Sequence, residues 1–266
     1  EICSRDWSSD VCSSDLQLVA LSAKDKLTPL SLTQTNSLLQ VPITYPGNTI
    51  LSSNTSTLET SASWGDSIKA FSDQAAGPAL SGCHYTDIPM TEDEIGTDVD
   101  ESKAYSLLQE SMAHDPINSV SCLKSAIKTL ADTSQSQMQQ AIALRFVIHI
   151  VGDIGQPLHS VSLIEGSFDD RGGNSIVFSP AINIQNTDGS VSKQNKLHAI
   201  WDASLSAYLQ FPYDREKLKI GVYSETDLKT NEDLNDFLAT QEQLTGPALA
   251  EAQDSNQSPE KWVVES

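Results

Sequence analysis

The segment from Ser136 to Gln156, SQMQQAIALRFVIHIVGDIGQ, constrains the chain most, because an apolar helical run carries His149 and Asp153 four residues apart. On a helix that spacing places both side chains on one face, one turn apart. An aspartate is rarely buried unless it is paired or bound to a metal. His198 and Asp202 repeat the four-residue arrangement on a later helical stretch, LHAIWD, so a second pair can face the first. His159 follows Pro157, which ends the first helix and lets the ring turn back toward the helix end. A lone histidine is most often a hydrogen-bonded core or surface residue. Two HxxxD pairs with a histidine between them point instead to metal ligation, and the nitrogen and oxygen donor set suits zinc.

Hydrophobic residues make up 38% of the 266 and charged residues 20%, enough apolar surface for a real core. No run of about 18 apolar residues occurs, so no membrane-spanning helix is expected. Thirty-six acidic residues oppose 16 basic ones, a formal net charge of −20. That balance argues against a basic groove gripping nucleic acid by neutralising phosphate. If phosphate is the substrate, metal must supply the positive charge.

The flanks of the chain differ from its middle. SRDWSSDVCSSDL, from Ser4 to Leu16, repeats Ser-Ser-Asp and lacks apolar periodicity and a signal-peptide core. Asp6 to Leu16 reads as a translated sequencing-library adaptor, or more plainly as a Ser/Asp-rich tail, so residues 1–16 are set aside as non-native. Cys3 and Cys12 fall in that segment, leaving Cys83 and Cys122, whose pairing would fit an oxidising compartment. Sequons at Asn54 and Asn256 are compatible with secretion and glycosylation.

From Gln17 helical spacing begins, with a boundary at Pro29 and a second helix over Leu30 to Leu39. Val41 to Ser63 reads as a loop. Further helices are expected over Trp64 to Asp73, Asp100 to Met112, Ser119 to Ala131, Leu197 to Leu209 and around Asp233 to Leu244. The only clear strand material is SIVFSPAINI, then the Thr187-Asp188-Gly189 turn and Ser190 to Ser192, a small hairpin insertion. The expected fold is all-α, mostly helical, with that β-hairpin added, and residues 17–266 form one domain.

FVIHIVGDIGQPLH, DRGGN and LHAIWD, in this order and spacing, resemble the S1/P1 family of zinc-dependent, single-strand-specific nucleases. SASWGD resembles its Trp-Ala-Asp segment, and CHYTDIP its His-aromatic-x-Asp segment. The resemblance runs from about Gln17 to the last residue and implies a phospholipase C/P1 nuclease-like fold. It implies that Asp66, His84, His149 and Asp153 bind one zinc and that His159, His198 and Asp202 bind a second. Asp153 would also reach a third, held in the family mainly by an N-terminal Trp and a nearby His. Neither is matched here, and Trp7 is no substitute, so two of three zinc ions are expected and both ends read as incomplete.

By the same resemblance Asp87 would orient or deprotonate the attacking water, Lys69 would stabilise charge on the phosphate, and Asn174 would lie near the scissile phosphate. Read from the residues alone, Lys69 is a solvated helix face, Asp87 a turn residue before Pro89, and Gly172-Gly173 a turn entering the hairpin. Gly155 stands where many relatives carry His. His114 reads as structural, and Tyr85 is a candidate for stacking bases. The implied function is hydrolysis of single-stranded DNA and RNA, with 3′-nucleotidase activity beside it, by a secreted monomer. A zinc phospholipase C is the nearest alternative, although those enzymes use Glu where this chain has Asp202. A catalytically impaired zinc-binding fragment is the other.

Overall fold

A computed structural model describes residues 13–45, 49–50, 55–66, 68, 80–94, 100–185, 191–202 and 258–266. Lys69, both sequon asparagines, the helix expected around Asp233 to Leu244 and the part of the Leu197 to Leu209 helix beyond Asp202 lie outside them.

Local signals in the sequence explain where most helices begin. Helix α1 (Ser13–Lys24) is followed by α2 (Pro29–Leu39), capped by Thr28 with proline in its first turn. Helix α3 is short (Leu58–Ser61) and opens on a capping box between Thr57 and Thr60. Asp100 caps α4 (Glu101–His114), accepting from the Lys103 amide. Asn118 with Ser121 boxes the start of α5 (Ser119–Ala131), and Ser136 with Gln139 that of α6 (Gln137–Ile154). Helix α7 (Leu197–Asp202) follows the hairpin, and α8 (Pro259–Glu265) is capped by Ser258.

Helix α6 is the centre of the packing. Its Ile150 and Ile154 join Leu108, Val120, Leu123 and Val263 in one apolar cluster. Its Leu144 joins Leu16, Ala20, Leu39 and Leu58 in a second. Phe146 meets Trp64 edge-on, with ring centroids 5.5 Å apart. A helix apolar on nearly all sides is stable only when covered this way. Helix α1 takes in Ser13 to Leu16 of the segment set aside above, and Leu16 packs into the second cluster.

Arg145 lies fully buried on α6. Its guanidinium donates to the Leu39 and Thr55 carbonyls, both at 2.9 Å, and to the Ala141 carbonyl at 3.2 Å. Burial pushes its pKa down to about 10. The contact fixes the end of α2 and the backbone before α3 against the central helix.

Two expectations are corrected. The stretch from Val41 to Ser63 is not loop throughout: it holds α3 and an antiparallel ladder of β1 (Thr44–Tyr45) with β2 (Thr49–Ile50). The hairpin is also not the only strand structure. Strand β3 (Ile88–Met90) pairs parallel with β4 (Val161–Glu165), and β4 pairs antiparallel with β5 (Phe168–Asp169). Strands of two to five residues are too short to show alternation, and their pairing is set by tertiary context. The expected hairpin is present as β6 (Val177–Gln185) against β7 (Val191–Lys196), with a register shift between Val177 and Ile182. The fold is mostly helical with few strands, as expected.

The β3–β4 pairing positions the site. The Thr86 amide donates to the His159 carbonyl at 2.7 Å, and the Ile88 amide to the Ser160 carbonyl at 2.9 Å. These bonds bring the segment carrying His84 against the one carrying His159. A disulfide between Cys83 and Cys122 fastens the His84 segment to α5.

Candidate metal centre

Four of the five histidines reach the centre, each through its own local setting. His149 lies on the buried face of α6, and its Nδ1 meets the Ala62 carbonyl at 2.5 Å. Gly65 permits the close approach, because a Cβ there would lie 2.4 Å from His149 Cδ2. His84 closes a 3-10 turn (Leu80–His84) braced by the disulfide. His159 ends the turn Pro157–His159, where Gln156 caps the Leu158 amide. His198 begins α7, with Nδ1 on the Gly172 carbonyl at 2.6 Å.

Asp66, His84 and His149 form one group able to hold a metal ion, their ligand atoms all within 4.8 Å of one another. His84 Nδ1 is 2.8 Å from His149 Nε2 and 3.6 Å from Asp66 Oδ1, and His149 Nε2 is 3.9 Å from Asp66 Oδ1. His159, His198 and Asp202 form the second group. There His159 Nε2 lies 3.5 Å from Asp202 Oδ1 and His198 Nε2 lies 3.4 Å from Asp202 Oδ2, with the two rings stacked at 4.9 Å.

Asp153 stands between the groups. Its Oδ2 is 2.9 Å from His84 Nδ1 and 3.0 Å from His149 Nε2, while its Oδ1 is 3.6 Å from His159 Nδ1. Thus the seven residues read as ligands in the sequence come together in two clusters joined by one carboxylate.

The donor set fits zinc. Tetrahedral donors about 2.0–2.1 Å from the ion lie roughly 3.3 Å apart, inside the 2.8–3.9 Å span of the first group. Metal-bound histidines typically give their second ring nitrogen to a carbonyl or carboxylate, as the Ala62 and Gly172 carbonyls allow for His149 and His198.

The electrostatics agree with that reading. Burial would lower the His149 pKa, but Asp153 and Asp66 outweigh it and raise the value to about 9. Burial likewise opposes ionisation of Asp153, yet His149 and His159 hold its carboxyl well below the usual range. Asp202 is lowered too, against burial, by His159, His198 and the Gln156 amide, which donates to its Oδ1 at 2.8 Å. Buried histidines and carboxylates that shift one another this strongly gather at functional sites.

The remaining candidates divide. The Oδ1 atom of Asp87 accepts from Ser162 Oγ at 3.0 Å. The Nδ2 of Asn174 donates to the Arg171 carbonyl at 3.0 Å, within its own turn. His114 is exposed in the last turn of α4 and takes no part in either group. Reading the sequence missed Gly65, Gln156 and Ser162, and missed the Ala62 and Gly172 carbonyls. Gln156 was visible beside the His159 motif, whereas a backbone carbonyl leaves no signature in residue type.

A cleft of about 200 Å³ opens beside Asp153, His159 and Asp202, walled by Leu16, Val19 and Trp201. No helix among the described residues is long and apolar enough to cross a membrane. No individual curated protein matches the chain as a relative. The family description S1/P1 Nuclease matches residues 17–266, nearly the whole length and every residue of both clusters. The chain therefore belongs to the S1/P1 nuclease family, whose members are hydrolases acting on phosphodiester bonds.

Proposed function

We propose that the protein is a secreted, zinc-dependent endonuclease that cleaves single-stranded DNA and RNA, with 3′-nucleotidase activity at the same centre. The observation that carries this reading is the pair of histidine-aspartate clusters bridged by Asp153, with His149 and His198 each oriented by a backbone carbonyl. When bound, zinc supplies Lewis-acid polarisation of the phosphodiester and a nucleophile available near neutral pH. Asp66, His84 and His149 would hold one ion, and His159, His198 and Asp202 the other, with Asp153 serving the first and facing the second.

Asp87, held by Ser162, orients the attacking water and takes its proton, while Lys69 and Asn174 bind the phosphate. Buried ligands and a cation also reconcile a net charge of −20 with a polyanionic substrate, because the positive potential is confined to the centre. Preference for single strands follows from unstacked bases that can lie on aromatic surface, with Tyr85 beside His84 as the candidate platform. The Cys83–Cys122 disulfide supports an oxidising, extracellular setting.

The test is metal analysis with cleavage of single-stranded and duplex DNA, with and without a chelator. Two zinc ions per chain, single-strand cleavage and its loss on chelation are expected. Cleavage unaffected by chelation overturns the zinc mechanism, three tightly bound ions overturn the two-ion assignment, and turnover of choline lipids without DNA cleavage assigns the centre to a phospholipase instead. Zinc binding without turnover of either substrate identifies a catalytically impaired protein.

A further inference from the structure

We propose that Ser162 is a positioning residue, holding His198 in its metal-binding orientation through the Gly172 turn and tying that ligand to Asp87. This deepens the zinc reading above and rests on it. Ser162 lies in β4, 2% exposed, at a register position opposite Pro89 of β3. Its hydroxyl accepts from the Gly172 amide at 2.9 Å and donates to Asp87 Oδ1 at 3.0 Å. A hydroxyl between an N–H and a carboxylate has its single proton committed to the carboxylate. The Gly172 carbonyl in turn accepts from His198 Nδ1 at 2.6 Å, so Nε2 is turned toward Asp202. Four groups from four segments thus form one relay: Asp87, Ser162, Gly172 and His198.

The turn, closed by the Ser175 amide on the Asp170 carbonyl at 2.8 Å, runs through strained backbone. Arg171, Gly172 and Gly173 have φ values of 55°, 59° and 80°, three successive left-handed residues outside any ladder. A Cβ on Gly172 would lie 2.2 Å from the Leu158 carbonyl oxygen, so the backbone already abuts the His159 segment. The Gly172 amide is anchored by Ser162, and the flanking Asp170 accepts from the Leu163 amide at 2.8 Å. Without the Ser162 hydroxyl the Gly172 amide loses its buried partner, the turn around Gly172 can shift, and the carbonyl that receives His198 Nδ1 shifts with it.

The experiment measures zinc and cobalt affinity by competition titration on the full chain, for wild type, Ser162→Ala and Ser162→Thr. It is repeated in a His149→Ala background, where the second group is read alone. Ser162→Ala should weaken the ion at the second group about 10-fold, within the 10–100-fold range typical of outer partners, and alter the visible spectrum of cobalt there. The first ion should hold within about 2-fold, and Ser162→Thr, which keeps the hydroxyl, should restore binding. Thermal melts distinguish misfolding. Equal weakening of both ions, or no weakening by Ser162→Ala, overturns the assignment. A wild-type chain that binds no metal overturns the zinc reading as well, whereas normal wild-type binding with an indifferent Ser162→Ala overturns this inference alone.

Discussion

A methyl group at Gly65 has nowhere to go: it would lie 2.4 Å from His149 Cδ2 and 2.7 Å from Cγ and Nε2 of the same ring. Gly65→Ala should therefore displace the imidazole from the Ala62 carbonyl, costing about 1–3 kcal/mol by overpacking. It should also weaken the first ion by about 10-fold or more. A melt and a metal competition titration check both effects. At this scale the sequence was readable where chemistry resides in side-chain type. The spacing of His149 with Asp153 and of His198 with Asp202 announced candidate ligands, and all four meet in the clusters. The carbonyls that orient two of those rings were not readable, since any residue at positions 62 or 172 carries one. Gly172 was read only as a turn, although its positive φ and its contact with Leu158 make it the hinge of the His198 support.

Elements whose starts carry caps could be placed from sequence, as Ser119–Ala131 and Gln137–Ile154 illustrate. The connection between those two helices is held by Asp132, whose Oδ1 accepts from the Ser134 amide and hydroxyl and whose Oδ2 accepts from Gln135. These bonds, Gln135 first, lower its pKa to about 2. A depressed folded-state pKa adds stability above the ordinary carboxylate value of 3.8 that is lost as pH falls through about 2. Asp132→Asn should thus melt earlier than wild type at pH 5, and the difference should shrink toward pH 2, as paired thermal melts would show. Asp132 is exposed, so the effect will be small. The short strands β3, β4 and β5 escaped notice for a different reason. Nothing in Ile88–Met90 signals a strand until Val161–Glu165 lies alongside it, 73 positions later in the register.

The whole molecule draws its candidate ligand atoms from widely separated stretches of chain: Asp66, His84, the end of α6 with His159, and α7. An ion bound only by the folded state stabilises it by mass action, about 2.7 kcal/mol at a hundredfold excess over Kd. Chelation should lower the melting temperature and zinc should restore it, which differential scanning calorimetry measures. Because His149 is raised to about 9, it is protonated in the ion-free chain at pH 7, and zinc binding there should release protons. Its charged form stabilises the ion-free fold below about 6.5, and this is lost as pH rises through about 9. The ion-free melting temperature should fall across that window, while the zinc-loaded chain should not share the loss. The acidic exterior makes a further demand. Proteins that bind nucleic acid through many phosphate contacts lose about 10³–10⁵ in affinity between 50 and 200 mM salt. With a net charge of −20, this one should show cleavage that is flat or rising over that range at fixed zinc, and a steep fall would contradict a centre that relies on metal and not on a basic groove for positive charge.

Asp153, facing the first cluster with one oxygen and His159 of the second with the other, would couple ions held at the two clusters. Loading one cluster would change the charge and orientation that this carboxylate presents to its neighbour. By thermodynamic reciprocity the factor by which the first ion alters the second's affinity equals the factor in reverse. On that reading, metal uptake would be a joint property of two clusters, and a half-loaded chain would be a distinct chemical species with its own affinity.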